Sequence, residues 1–313
     1  MTSVLETAPA VTARAPGKVN LELGVGPVRE DGYHPLATVY QAVGLYEDVT
    51  AATADEWGVT VRGRDAELVP TDESNLALRA AMLLADEVGG DIEPVHLTIH
   101  KSIPVAGGMA GGSADAAAAL VACEALWAAD MSKADLDPIA ARLGSDVPFL
   151  LHGGTAVGSG RGEIITPVLA RGLYHWVFVP TPSEGLSTPA VYRTFDVLTS
   201  GREVPDPEPS PAMMAALRLG DPEALADVLT NDLQEAAIHL QPRIGEVIEA
   251  AMGFGALGAL VSGSGPTVAL LASGQEGAID LAVSLTASGV ADEVLRAVGP
   301  VAGAHVIPTP RLT

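Results

Sequence analysis

Positive charge is scarce in this sequence: 17 lysines and arginines face 39 aspartates and glutamates over 313 residues, a formal charge of −22. Nucleic-acid binding calls for a basic stripe, and none is present, so that class of partner is excluded. Lysine occurs only at Lys18, Lys101 and Lys133, which makes each of them conspicuous. Aromatic residues make up 4% and hydrophobic residues 48%, so the chain can bury a core and that core must be mainly aliphatic. The one cysteine, Cys123, excludes an internal disulfide and fits a reducing compartment. Its alanine-rich surroundings predict a buried, inert thiol. No apolar run reaches the ~18 residues of a membrane span, and the N-terminus lacks a basic stretch followed by an apolar one. The expected location is the cytoplasm, with no membrane partner. There is no HExxH or paired metal spacing among the histidines and no GxSxG elbow, which argues against a zinc site and an α/β-hydrolase.

What is present reads as mixed α+β. After a loose leader at residues 1–10, alternation predicts strands at 11–15 and 19–23, broken by Pro16-Gly17, and again at 49–53 and 59–62. A helix is predicted over 74–88 with Ser74 as N-cap, then a strand at 95–100, a glycine-rich turn and an alanine-rich helix at 113–129. A shorter helix at 133–143 leads into Gly144-Ser145-Asp146-Val147-Pro148-Phe149, with strands near 155–158 and 175–180. Four prolines among acidic residues give 199–211 the composition of an exposed, disordered loop. Helical patterns at 212–219, 223–229, 243–252 and 276–287 then accompany strands at 259–261, 267–271 and 303–307. No internal repeat interrupts this order. The length fits two domains, placed at 1–170 and 171–313.

The glycine-rich turn runs Pro104-Val105-Ala106-Gly107-Gly108-Met109-Ala110-Gly111-Gly112-Ser113-Ala114. Such a backbone can approach an anion closely and aim several N–H groups at it, and the following helix adds its unsatisfied N-terminal amides. Backbone dipoles would thereby hold phosphates in an acidic protein. Ser113 could donate a hydrogen bond or ligate Mg²⁺. Glycines used only for close helix packing would give the same composition. A true GxGxxG, at 253–258, follows a helix and precedes a strand, so it reads as a helix-ending turn rather than a dinucleotide fingerprint. Phosphoryl transfer also needs a group that deprotonates or positions the acceptor hydroxyl. Asp146, in a turn after a helix, and Lys18, beside Asn20, suit that task if they lie close together. Taken singly, they read as a turn cap and a surface charge.

Three separated segments resemble motifs of the GHMP kinases, the superfamily of galactokinase, homoserine kinase and mevalonate kinase. Ala15-Pro16-Gly17-Lys18-Val19-Asn20-Leu21 resembles the opening PAKxNL motif, 104–117 the phosphate loop, and Ser262-Gly263-Ser264-Gly265-Pro266-Thr267 the C-terminal glycine motif. Two more, Asp31-Gly32-Tyr33-His34 and 144–149, are similar to the branch whose acceptor is a cytidine diphosphate conjugate of a methylated tetritol, on the non-mevalonate route to isoprenoids. The resemblance implies a ribosomal S5-like N-terminal domain, a ferredoxin-like C-terminal domain and an active site between them. It implies ATP and Mg²⁺, with Asp146 as general base and Lys18 as its charged partner. Asn20 would place the acceptor. Tyr33 would stack on the cytosine, His34 would bond its edge, and Tyr192 would cover the second face. ATP would lie on the loop from Pro104 to Ala114, with Asn75 and Lys101 near the adenine.

The loop departs from many relatives at Ala106, Ala110, Ala114 and Asp115. Alanine favours negative φ, so Ala106 and Ala110 should restrict the loop's path, and Ala114 leaves Ser113 as the metal candidate. Another GHMP kinase such as a homoserine kinase, or a catalytically silent nucleotide-binding regulator, remains compatible with the three shared motifs.

Overall fold

The computed structural model describes residues 9–181 and 186–308. The expected leader lies outside them, apart from its last two residues. The chain opens with β1 (Ala10–Val25), β2 (Leu36–Thr53) and β3 (Gly58–Gly63), followed by α1 (Leu76–Val88), β4 (Val95–Lys101) and α2 (Gly111–Trp127). Then come α3 (Lys133–Leu143), α4 (Val147–His152), β5 (Thr155–Ser159) and β6 (Ile164–Pro167). The second half runs β7 (Tyr174–Val179), α5 (Thr188–Leu198), α6 (Pro211–Leu219), α7 (Pro222–Ala226), β8 (Thr230–Asn231) and α8 (Gln234–Leu240). It ends with α9 (Arg243–Gly253), β9 (Gly258–Val261), β10 (Val268–Ala272), α10 (Gln275–Ala287), β11 (Leu295–Gly299) and β12 (His305–Ile307). No helix among the described residues is long and apolar enough to cross a membrane.

The first sheet has the order β12-β1-β2-β4-β3, with β5 and β6 added beside β2 and β8 beside β1. β1 is one strand rather than the expected two. Pro16 cannot donate to a ladder, and the register shift between Pro16 and Gly17 absorbs it as a bulge. The second sheet reads β11-β7-β10-β9, all antiparallel. With helices after its first and third strands, this is the ferredoxin-like order of fourth, first, third, second. Both halves are therefore the mixed α+β that the sequence predicts.

Alanine decides how the layers close. α2 is buried almost all round and packs on α1, α4, β1 and β2, an approach that small side chains permit. In β7, Trp176 and Phe178 face the core shared with the first sheet, and Val177 and Val179 face a second core under α8, α9 and α10. Cys123 lies fully buried in α2, and burial pushes its thiol up, as expected of an inert cysteine. Of the 199–211 segment, all but Pro211, the first residue of α6, lies outside regular elements, but the segment packs rather than floats. Glu22 accepts a hydrogen bond from Ser210 N at 3.0 Å, and Ser210 caps α6.

α1 is capped by Asn75, not Ser74: the Asn75 side chain accepts from Ala77 N and Leu78 N. Behind the glycine-rich turn, Lys101 Nζ sits 2.8 Å from Glu47 and 2.7 Å from Asp115, all three buried. One ammonium cannot neutralise two carboxylates. Glu47 also accepts from Ser102 N and Ile103 N, whereas Asp115 Oδ1 has no partner. Burial, with Glu47 adding to it and Lys101 opposing it, pushes Asp115 up to about 7. A raised carboxyl stabilises fully below its unfolded value and loses that contribution as pH rises through its folded one. Thermal unfolding of Asp115→Asn at pH 5 and pH 8 should therefore show the variant gaining on the wild type as pH rises. An unchanged difference would mean that Asp115 is ionised throughout.

Candidate active site

A cavity of about 840 Å³ is bounded by β1, the glycine-rich loop, the start of α4 and the turn after β9. Lys18 and Asn20 reach it from β1. Lys18 is 4% exposed, and its Nζ donates to Asn20 Oδ1 at 2.6 Å and lies 4.0 Å from Asp146 Oδ2. Asn20 in turn donates to Thr38 Oγ1 at 2.8 Å, and Thr38 donates to the Glu22 carbonyl at 2.7 Å, so a relay of hydrogen bonds fixes the amine. Burial lowers the Lys18 pKa below 10.5, and Asp146 offsets part of that fall. Asp146 occupies the N-cap position of α4, yet its side chain caps nothing. Its carboxylate lines the cavity instead, and the bland readings of both residues fail together.

Tyr40 was not legible as a site residue. From β2 it stacks on Phe149 at 4.9 Å and stands 5.9 Å from Lys18 Nζ, and it lines the same cavity. Burial and then Asp146 raise its pKa well above 10, keeping the hydroxyl protonated. Asn231 was missed too. Its amide donates to Val261 O at 2.8 Å and Gly263 O at 2.7 Å, holding the turn opposite the loop. Neither residue belongs to a recognisable motif, so only the register of β2 and the position of β8 reveal them.

The loop itself corrects one expectation. Ala106 and Ala110 both have positive φ, 56° and 62°, flanking Gly108 at 75°. The left-handed region disfavours alanine by about 1–2 kcal/mol per residue, so contacts elsewhere must impose this path. Gly108 O accepts from Ser262 Oγ at 3.1 Å, and Met109 O accepts from Lys18 N at 3.2 Å. α2 begins at Gly111 rather than Ser113, which puts Ser113 in its first turn. Ala106, Gly107, Gly108, Ala110, Gly111, Gly112 and Ser113 line the cavity. Pro104, Met109 and Ala114 are buried and line neither it nor the smaller cavity beside it, while Val105 lines the smaller one.

Tyr33, His34 and Tyr192 also line the cavity; His34 is tied to Gly26, past the end of β1, whereas the loop meets β1 earlier, at Lys18, so the rings stand at the cavity's other end. Tyr33 is 54% exposed, whereas His34 is buried with its ring 5.1 Å from that of Tyr192. His34 Nδ1 lies 2.7 Å from the Gly26 carbonyl, which can only accept, so Nδ1 carries a hydrogen. Asn75 and Lys101 border the smaller cavity of about 310 Å³, which shares Ala106 and Gly112 with the first. Both are already engaged there, Asn75 in capping α1 and Lys101 between Glu47 and Asp115. Among the described residues, no cluster of three histidines, cysteines or acids could hold a metal.

This arrangement has counterparts in known proteins. Residues 75–154 match the family described as GHMP kinases N terminal domain, and 213–291 match GHMP kinases C terminal. A 4-diphosphocytidyl-2-C-methyl-D-erythritol kinase from a Nocardioides species is 55% identical over 301 residues, covering 94% of this chain and 99% of that one. A crystal structure of 4-(cytidine 5'-diphospho)-2C-methyl-D-erythritol kinase superimposes with a TM-score of 0.74 at 34% identity, over 93% of this chain and 99% of the other. Homoserine kinase from Cytophaga hutchinsonii shares the fold, with a TM-score of 0.72 at 20% identity over 96% and 98% of the two chains.

The contact between loop and turn is testable at Gly108. A Cβ there would stand 2.1 Å from the Ser262 carbonyl oxygen at a φ of 75°, whereas one on Gly253 meets nothing within 4 Å. Gly108→Ala should lose about 2–4 kcal/mol of stability and most nucleotide affinity, with Gly253→Ala close to wild type in both. Chemical denaturation and ADP titration measure this. Equal behaviour of the two variants would show that the loop does not rest on the turn.

Proposed function

The chain belongs to the GHMP kinases and, within them, to the 4-diphosphocytidyl-2-C-methyl-D-erythritol kinases, and from that membership we propose how its own residues carry the reaction. It is an ATP-dependent kinase of a small-molecule alcohol. The acceptor is 4-diphosphocytidyl-2-C-methyl-D-erythritol, phosphorylated on its 2-hydroxyl on the methylerythritol phosphate route to isoprenoids. The observation that carries the residue-level reading is the pair of buried Lys18 and half-buried Asp146, 4.0 Å apart on a cavity with glycine amides at one end and aromatic rings at the other.

The ATP phosphates lie along the loop and the N-terminus of α2, where backbone N–H groups supply the positive potential that the side chains do not. Asp146 accepts the proton of the acceptor hydroxyl. Lys18, 4.0 Å away, holds that carboxylate in place, and Asn20 positions the acceptor. Tyr33 stacks on the cytosine, the His34 edge reads its polar rim, and Tyr192 closes the pocket behind His34. Asn75 and Lys101 form the wall beside the adenine through the smaller cavity. Mg²⁺ is a hard ion that takes oxygen donors, and the Ser113 hydroxyl in the first turn of α2 is one: Ser113 would hold the ion alongside ATP oxygens and water, where it would neutralise phosphate charge. Residues 1–170 and 171–313 are the two domains, and the ATP supply and the reduced, buried thiol fit the cytoplasm.

The paired aromatic end favours a cytidyl acceptor over homoserine, which offers no ring to stack. A silent nucleotide binder would not need the Lys18–Asp146 pair. ADP release should accordingly be seen with Mg·ATP and the cytidyl methylerythritol, and not with homoserine or mevalonate. Asp146→Asn should keep ADP affinity within about twofold and lower kcat by about 10²–10⁴, the range of general acid–base catalysis. Turnover with homoserine alone would overturn the acceptor assignment, and normal turnover by the variant would remove Asp146 as the base.

A further inference from the structure

Apart from His34, the basic residues on the main cavity's wall are, among the described residues, Lys18 and Arg161. Lys18 is already held by Asn20 and Asp146. Arg161 is differently placed, in the turn between β5 and β6, between Gly160 and Gly162 with φ of 75° and 103°. The turn's backbone is fixed. Leu36 N donates to Gly160 O at 2.8 Å, Gly162 N donates to Ser159 O at 3.0 Å, and Arg161 N donates to Glu163 at 2.6 Å. A Cβ on Gly162 would come within 2.4 Å of the Tyr40 hydroxyl, so the turn lies hard against the site.

The Arg161 side chain, by contrast, is 42% exposed. Its Nε approaches Glu163 only to 3.7 Å, beyond a good hydrogen bond. Its guanidinium carbon sits 5.1 Å from the centre of the Tyr33 ring. An anchored backbone thus presents a planar cation beside the aromatic residue assigned to the cytosine, at the end of the cavity away from the glycine amides.

We infer that Arg161 binds the diphosphate of the acceptor, its guanidinium stacking on Tyr33 and donating to the phosphate oxygens. The inference rests on the cytidyl reading above. A guanidinium fork suits paired phosphate oxygens. Without it, the acceptor's two phosphates would meet a wall that carries Asp146 and, nearby, Asp31 and Glu163. Backbone amides meet that need for ATP, but among the described residues the helix start on this part of the wall, Ser187, Thr188 and Pro189 at α5, has no glycine run. The residue determines binding and specificity and takes no part in proton transfer.

Calorimetric titration of CDP and of cytidine, with the loop occupied by saturating ADP, tests this in wild type, Arg161→Met and Arg161→Lys. Arg161→Met should weaken CDP about tenfold, leave cytidine within about twofold and flatten the salt dependence of CDP binding. Arg161→Lys should recover part of the loss, and ADP affinity in both variants reports an intact fold. Unchanged CDP affinity would overturn the inference, as would equal losses for CDP and cytidine, since the guanidinium would then act only through Tyr33. A wild type that binds ADP but neither CDP nor cytidine would instead sink the cytidyl reading itself.

Discussion

The glycine-rich loop and the turn at 262–265 touch backbone to backbone, and Gly108 is where they meet. The Ser262 hydroxyl donates to the Gly108 carbonyl, and the space for a Cβ is already filled by the Ser262 carbonyl oxygen. Lys18 is tied to the same junction. Its backbone N–H donates to Met109 O, and its ammonium would contact a Cβ on Gly263 at 2.9 Å. Three segments far apart in sequence therefore share one small volume. The positive φ of Ala106 and Ala110 follows, because the loop must follow the turn's surface even where alanine is disfavoured.

Electrostatics builds on that frame. A kinase of formal charge −22 has few cations to set against anionic ligands, and in the proposed site they are rationed. Backbone amides of the loop and of α2 need no side-chain cation. Lys101 is held between Glu47 and Asp115 beneath the loop, where burial raises both carboxyls and two backbone N–H groups oppose that rise on Glu47 alone. Lys18 is committed to Asp146 and Asn20, and Arg161 remains at the aromatic end. Each cation in the site has a separate partner.

Much of the fold was readable from pattern. The alternation at 95–100 appears as β4 with Val95, Leu97 and Ile99 buried and His96 and His100 exposed, and helices at 133–143 and 243–252 fall within a residue of the expected bounds. The failures have two causes. The first half of β2 and β11 carry no clean period of their own and are fixed by partners, β1 and β5 for β2 and β7 for β11, whereas α5 has a legible helical period at Val191, Phe195 and Leu198 behind Ser187 as N-cap, which the reading of the sequence passed over. The expected N-cap, Ser74, gives way to Asn75, whose side chain caps α1 and also donates to the Pro70 carbonyl.

By itself the sequence determined the class, an acidic, disulfide-free α+β kinase, and it marked the residues whose roles are proposed above: the glycine loop for phosphates, Lys18 and Asp146 for the hydroxyl, and Tyr33 and His34 for the acceptor. Those properties reside in residue types and local motifs, which need no partner to be recognised. Tertiary structure alone decided the distances. It put Lys18 4.0 Å from Asp146, turned two alanines into the left-handed region, buried a lysine between two carboxylates, and brought Tyr40 and Arg161 to the cavity. These depend on strand register and on backbone contacts between segments over a hundred residues apart, and no local pattern encodes such contacts.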